Sequence, residues 1–295
     1  MHPQQIKELL QHRLLKQPGT TISSVELSPV GGGSINETYK VVVNQHTVYF
    51  LKLNSTLSFP GLFEKEKNGL AFLGRQKCIL TPSVLLCETH NGYQWLLLEW
   101  IEGGIRTGDF WQKFGEQLAL LHSISHDHFG FAEDNYMGSL PQVNTYTSDW
   151  TSFFIQCRLQ PQVELACNKY LLDKSHILLF EKLYKKLGNI YDSTKPSLLH
   201  GDLWSGNFMC NEQSQPVLVD PAVYFGHRSM DLAMTTLFGG FDKSFYEAYN
   251  YHSPLPANYR EQWEVCNLYP LLIHLNLFGL SYLADITATL KRLGN

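Results

Sequence analysis

The chain has 295 residues, 44% of them hydrophobic and 17% charged, enough for one large globular unit or two lobes around a real core. With 23 basic against 27 acidic residues, a formal charge of -4 and no run of either sign, nothing favours nucleic acid or anionic lipid as a partner, which leaves small molecules. Six cysteines, at 78, 87, 157, 167, 210 and 266, form no CxxC pair and no metal-type spacing, so reduced thiols in a cytoplasmic protein are expected, not disulfides or zinc.

The opening segment puts Ile6, Leu9, Leu10 and Leu14 on one helical face and has no apolar signal core. Residues 23–28, 38–43 and 48–53 are rich in β-branched side chains and separated by turn chemistry, and they read as three antiparallel strands. Residues 62–73 carry helical spacing through Phe63, Leu70 and Leu73, with Gly74 as the expected stop. Two more strands, 84–87 and 95–100, are joined across Asn91-Gly92, a strong hairpin signal. From Asp109 the pattern turns helical through Phe110, Phe114, Leu118 and Leu121, with further helices near 149–166 and 173–190. Strand-like residues return at 208–210 and 217–219 around a polar turn, and helical patterns resume from Met230. The late apolar stretch 271–284 is broken by His274 and Asn276 and is too short to span a bilayer. The whole predicts an α+β fold, with a small antiparallel-sheet N-lobe over residues 1–101 and a larger, mainly helical C-lobe over 102–295.

The most specific element is HGDLWSGN at 200–207, followed eighteen positions after Asp202 by Asp220. An HxDxxxxN loop with a later aspartate is what metal-assisted phosphoryl transfer requires. Asp202 is placed to take or orient the proton of an attacking hydroxyl, help worth about 10² to 10⁴ in rate. Asn207 and Asp220 are placed to hold Mg²⁺ against the phosphates of ATP, and His200 reads as a buried prop of the loop. Lys52 lies in the apolar run YFLKL, where an unpaired buried cation is costly, so an ATP phosphate and a carboxylate partner are expected beside it. Glu66 shares the inward side of Leu70 and Leu73 and is the chosen partner, with Glu64 left open. Between the first two strands, a turn containing Gly32, Gly33 and Ser34 would let backbone N–H groups approach a phosphate. Glu99, Trp100 and Ile101, just before Gly103-Gly104, mark a hinge whose backbone would bond adenine, and Trp204 offers an indole to the C–H face of a sugar. The chain has neither GxGxxG nor GxxxxGK[ST]. Only eleven positions separate Asp220 from Asp231, which leaves no room for a phosphorylatable activation segment and points to a kinase of small substrates.

Together with GGGSINETYKV at 31–41, DNYMGSLPQVN at 134–144, DWTSFF at 149–154, RLQPQ at 158–162, VDPAVYFGHRSMDLAM at 219–234 and LFGGF at 237–241, these residues make the chain resemble the fructosamine kinase, or ketosamine-3-kinase, family. That family lies within the protein-kinase-like superfamily, beside aminoglycoside phosphotransferases and choline kinases. The resemblance implies a bilobal kinase-like fold and ATP- and Mg²⁺-dependent phosphorylation of the 3-hydroxyl of a ketosamine, free or on a protein lysine, with a deglycation role. It also makes Asp134 and Asp149 candidates to meet the substrate amine. The chain departs from the family pattern at Ser229, where an acidic residue is commoner, and at Ser34, where some relatives carry cysteine. Two other readings stay open at this point: a kinase of another small alcohol or amino sugar, and a nucleotide-binding protein without turnover.

Overall fold

Alternation along the third strand decides which face of the first sheet meets the rest of the molecule. The computed structural model describes residues 3–15, 21–31, 35–191 and 193–294. Helix α1 (Pro3–Leu14) is followed by β1 (Val25–Pro29), β2 (Glu37–Val43), β3 (Thr47–Ser55), α2 (Leu62–Gln76), β4 (Val84–His90) and β5 (Tyr93–Glu99). The strands form one antiparallel sheet in the order β1-β2-β3-β5-β4. Successive side chains of a strand point to opposite faces. Leu51 and Leu53 therefore pack with Val41, Trp95 and Leu97 beneath Ile6, Leu10 and Leu14 of α1. A fully buried aliphatic side chain of this kind contributes about 1.5–3 kcal/mol. Lys52 and Phe50 face the other way, toward α2, whose Phe63 and Leu70 pack on Leu96 and Leu98.

The expected stop of α2 at Gly74 falls short. The helix runs on to Gln76, and it is Lys77 that takes the left-handed conformation (φ 57°) and donates its N–H to the Gly74 carbonyl. The Asn91-Gly92 turn has both residues at positive φ, the geometry that matches strand twist in a two-residue hairpin.

The remainder is mainly helical: α3 (Phe110–His122), the short hairpin β6 (Asn135–Met137) and β7 (Leu140–Gln142), α4 (Trp150–Phe154), α5 (Gln160–Asn168) and α6 (Lys174–Ile190). Then come β8 (Ser197–Leu199), β9 (Phe208–Cys210), β10 (Pro216–Leu218), β11 (Tyr224–Gly226), α7 (Ser229–Leu237), α8 (Lys243–His252), α9 (Tyr259–Phe278) and α10 (Leu283–Gly294). Sequence periodicity does not reveal β6, β7, β8 or β11. Each is three residues long, too short for a period of two to register, and β11 is buried throughout. Among the described residues no helix is long and apolar enough to cross a membrane.

Between α4 and α5 the helix widens over Ile155–Leu159 into a π turn, just ahead of Pro161. Proline brings no N–H, so the carbonyl four residues back, that of Cys157, loses its ordinary helical donor. Arg158 Nη1 supplies one at 2.9 Å and also donates to the Val143 carbonyl, while Nη2 donates to Asn144 Oδ1 at 2.7 Å. The guanidinium is completely buried and lies 4.0 Å from the Tyr224 ring centre and 4.6 Å from that of Phe153, so aromatic faces supply the negative potential that a carboxylate would. Replacing Arg158 by leucine would leave two buried acceptors and one part-buried acceptor without this donor. The expected result is a loss of about 3 kcal/mol of unfolding free energy in urea titration; a loss below about 1 kcal/mol would show that the buried guanidinium is dispensable.

Candidate active site

Four three-residue strands carry the catalytic loop and Asp220. Strand β8 pairs with β11 and β9 pairs with β10, so the loop 200–207 and the stretch 219–223 leave neighbouring ladders side by side. Two backbone bonds close the gap between them, from Val219 N–H to the Asn207 carbonyl at 3.1 Å and from Ala222 N–H to the His200 carbonyl at 2.9 Å. His200, fully buried, accepts from Asp202 N–H at Nδ1 (3.3 Å), which leaves the proton on Nε2 for the Val219 carbonyl at 2.9 Å. Burial pushes its pKa down, so the ring is neutral and structural.

Within this frame Asn207 Nδ2 donates to both the carboxylate and the carbonyl of Asp202, each at 2.9 Å. The amide nitrogen is thereby engaged and the amide oxygen is the end left to accept a further donor or a cation. Partial burial, then the negative charge of Asp220, pushes the Asp202 carboxyl up to about 7 against the Asn207 hydrogen bond. Asp220 itself sits at φ 52°, a left-handed conformation that aspartate tolerates better than most residues, with 46% of its side chain exposed. Lys52 reaches it from β3 and forms ion pairs with Asp220 and, at 2.7 Å, with Glu66 of α2. Burial alone would lower the Lys52 pKa, but the two carboxylates outweigh it and hold the ammonium above its usual value. Glu64, the other candidate, instead pairs with Lys67 on the exposed side of the helix.

The backbone of the loop is held from behind by Asp231. Its two oxygens accept from His200 N–H and Gly201 N–H, both at 2.8 Å, and from His122 Nε2 at 3.2 Å. The other ring nitrogen of His122 lies 2.8 Å from the Tyr249 hydroxyl. Burial raises the Asp231 pKa, but the His122 hydrogen bond and charge and the Gly201 bond reverse this, and the net shift is downward. His122 and Tyr249 carried no local signal in the sequence, since each looks like a core residue on the apolar side of its helix.

These groups open onto one cleft of about 680 Å³ whose lining includes Lys52, Glu66, Glu99, Trp100, Ile101, Asp202, Trp204, Asn207 and Asp220. Gly32, Gly33 and Ser34 lie outside the described residues. Their neighbours Gly31, Ile35 and Asn36 line the cleft, and Asn54 of β3 ties the Ile35 carbonyl and Asn36 Oδ1 to the sheet. The Trp204 indole packs against Gly206, where a Cβ would come within 2.3 Å of the ring. Asp134 and Asp149 are not among the cleft-lining residues. Asp134 accepts from Asn144 N–H at 2.7 Å and Asp149 caps α4 through Ser152 N–H at 2.8 Å, so both carboxylates hold local backbone. Ser229, the departure from the family pattern, is buried and donates to Gln262 at 3.0 Å.

A family model described as fructosamine kinase matches residues 5–295. The chain belongs to the fructosamine kinase family. A probable ketoamine kinase of Enterococcus faecium is 38% identical over 281 residues, covering 92% of this chain and 98% of that protein. The chloroplastic protein-ribulosamine 3-kinase of Arabidopsis thaliana is 34% identical over 273 residues, covering 90% and 81%. Among solved structures, a candidate fructosamine-3-kinase from Thermobifida fusca superposes with a TM-score of 0.85 at 31% identity, over 96% of this chain and 98% of that one. The fold is thus the bilobal α+β architecture of protein-kinase-like proteins, as the family resemblance implied. Membership makes the chain a phosphotransferase that draws on ATP.

Asp231→Asn replaces one of the two acceptor oxygens by a donor that faces a backbone N–H. It should lower kcat at least tenfold and unfolding free energy by about 3 kcal/mol at neutral pH. Because the folded pKa of Asp231 is depressed, its contribution is present above the unfolded carboxylate value near 4 and is lost as pH falls through the folded one, so the deficit of the variant should shrink in acid. Urea titrations of both proteins at pH 7 and below pH 4 measure this, and a deficit independent of pH would contradict it.

Proposed function

We propose that the chain transfers the γ-phosphoryl group of ATP to the 3-hydroxyl of a ketosamine, and that the product then eliminates inorganic phosphate and is hydrolysed by water to the free amine and a 3-deoxyosone, a deglycation role for small glycated amines or glycated protein lysines. The observation that carries the phosphoryl-transfer part of this reading is Lys52, bridging Glu66 and Asp220 in the same cleft that holds the Asp202–Asn207 pair. The kinase-type readings for other small alcohols share this machinery, and it is membership of the fructosamine kinase family that favours the ketosamine.

The residues suit a magnesium ion. That ion takes oxygen donors, keeps several waters and is completed by substrate phosphates, so it calls for one or two protein ligands and not a cage. One amide oxygen, of Asn207, and one half-exposed carboxylate, of Asp220, make such a set; among the described residues there is no group of three or more His, Cys, Asp or Glu side chains able to hold a metal. Bound there, Mg²⁺ supplies neutralisation of phosphate charge.

Asp202 receives the proton of the attacking hydroxyl. Burial and the negative charge of Asp220 raise its proton affinity above that of an ordinary carboxylate, which suits a base. Asn207 fixes the rotamer of that carboxylate through two hydrogen bonds. Lys52 holds phosphate oxygens with a charge kept on by Glu66, while Gly32, Gly33 and Ser34 offer backbone N–H groups and Glu99, Trp100 and Ile101 the adenine-binding backbone. Trp204 covers the sugar and keeps water from the transferring group. In this division residues 1–101 form the nucleotide-holding lobe and 102–295 the lobe of the catalytic loop, in a protein of the cytoplasm, where the six unpaired thiols persist.

Asp202→Ala should lower kcat for a ribulosamine by about 10² to 10⁴ with ATP affinity kept within about threefold; turnover equal to the parent would remove Asp202 as the base. Lys52→Met should raise the KM for ATP and lower kcat together, since both bound nucleotide and transition state lose a cation. A steady-state comparison of the two variants against the parent, with ADP release as readout, separates the roles.

A further inference from the structure

One stretch of the cleft wall is not used by the phosphoryl-transfer chemistry. Among the described residues, every Lys, Asp and Glu lining the cleft, namely Lys52, Lys65, Glu66, Glu99, Asp202 and Asp220, comes from the first sheet, from α2 or from the catalytic segments. The lining residues supplied by α7 and α9 and the residue that ends α7 are instead Met234, Phe238, Ile273, His274, Leu277 and Phe278. Their rings run on from the tryptophan of the catalytic loop. Centroid separations are 6.0 Å from Trp204 to Phe238, 5.0 Å from Phe238 to His274 and 5.5 Å from His274 to Phe278.

The strip is exposed, with Phe238 43% and Phe278 55% accessible, yet it is held firmly. Gly240 lies at φ 93° with Ser205 so close that a Cβ would come within 2.6 Å of the Ser205 Cβ, so the chain leaving Phe238 is seated on the catalytic loop. His274 Nδ1 bonds the Pro270 carbonyl at 2.6 Å, and burial pushes its pKa down, so it brings no charge. An exposed apolar surface that adjoins a reaction centre is a binding surface more often than an accident.

The chemistry of a ketosamine says what reaches it. The nitrogen sits on C1, two bonds from the C3 that bears the accepting hydroxyl, so whatever group the nitrogen carries emerges beside Asp202 and therefore beside Trp204, which shares its loop. We propose that the Phe238–His274–Phe278 strip is the subsite for the substituent on the substrate nitrogen, and that it selects unbranched aliphatic substituents over those bearing a carboxylate on the carbon next to nitrogen. Methylenes gain by leaving water against these rings, whereas a carboxylate there would be desolvated with no cation from α7 or α9 to meet it. This inference rests on the ketosamine reading of the same site.

The test uses the full chain and the ribulosamine adducts of methylamine, butylamine, hexylamine and glycine, with kcat/KM measured for each. From methylamine to hexylamine kcat/KM should rise by about threefold per added methylene until the strip is covered. The glycine adduct should fall at least tenfold below even the methylamine adduct. Phe238→Ala and Phe278→Ala, made singly, should each flatten the hexylamine-to-methylamine ratio at least threefold with the KM for ATP unmoved, a split that general misfolding would not produce. Adducts turned over at equal rates by the parent would overturn the subsite and leave the ketosamine reading standing, as would a length dependence untouched by both variants. No turnover of any adduct would overturn both.

Discussion

A single ammonium group joins the two halves of the machinery. Lys52 leaves the middle strand of the first sheet, is almost wholly buried, and finds Glu66 on one side and Asp220 on the other. Together the two offset its desolvation, because a buried cation costs several kcal/mol and needs close, well-directed counter-charge. Position 52 is thus tied to position 220 across 168 residues of chain. The sheet, helix α2 and the strand that presents Asp220 share one fixed point, and the cleft takes its width from it.

A second layer of buried polar groups fixes the loop itself. Asp231 binds two successive backbone N–H groups, and His122 with Tyr249 closes the far side of the carboxylate. On the other flank, Asn135 Nδ2 donates to the Val223 carbonyl and Gln142 Nε2 to that of Ala222, with Tyr269 donating to Gln142. The segment just after Asp220 is therefore bonded from both sides within three residues. A short, fully bonded segment of this kind differs physically from a long loop that must be ordered by a covalent modification.

Much of this is legible in the sequence alone. The period of two in residues 48–53 puts Lys52 opposite Leu51 and Leu53, and the period of the helix puts Glu66 with Leu70; the hairpin at Asn91-Gly92 is set by local turn chemistry. The loop 200–207 can be read because its residue types at that spacing have few other uses. What escapes is what distance in sequence conceals. The strands β6, β7, β8 and β11 are set by partners outside their own three residues. Asp134 and Asp149 look like acids in search of a ligand, yet each turns back to a backbone N–H a few positions off. His122 and Tyr249 look like ordinary core residues until Asp231 is set beside them.

The π turn at Ile155–Leu159 carries a consequence for how this chain can vary. Such a turn holds one more residue than an α turn, and each residue added to or removed from a helix rotates the turns beyond it by about 100°. The widened turn has already absorbed one such residue, so a deletion there would be taken up by a return to a regular helix, whereas a further insertion would swing Gln160–Asn168, with Gln162 and its hydrogen bond from Asn276, off the face of α9. Gain of a residue is thus controlled more tightly here than loss of one. Side chains at 155 or 156 can change their chemistry, but a residue added beside them would carry Gln162 away from Asn276.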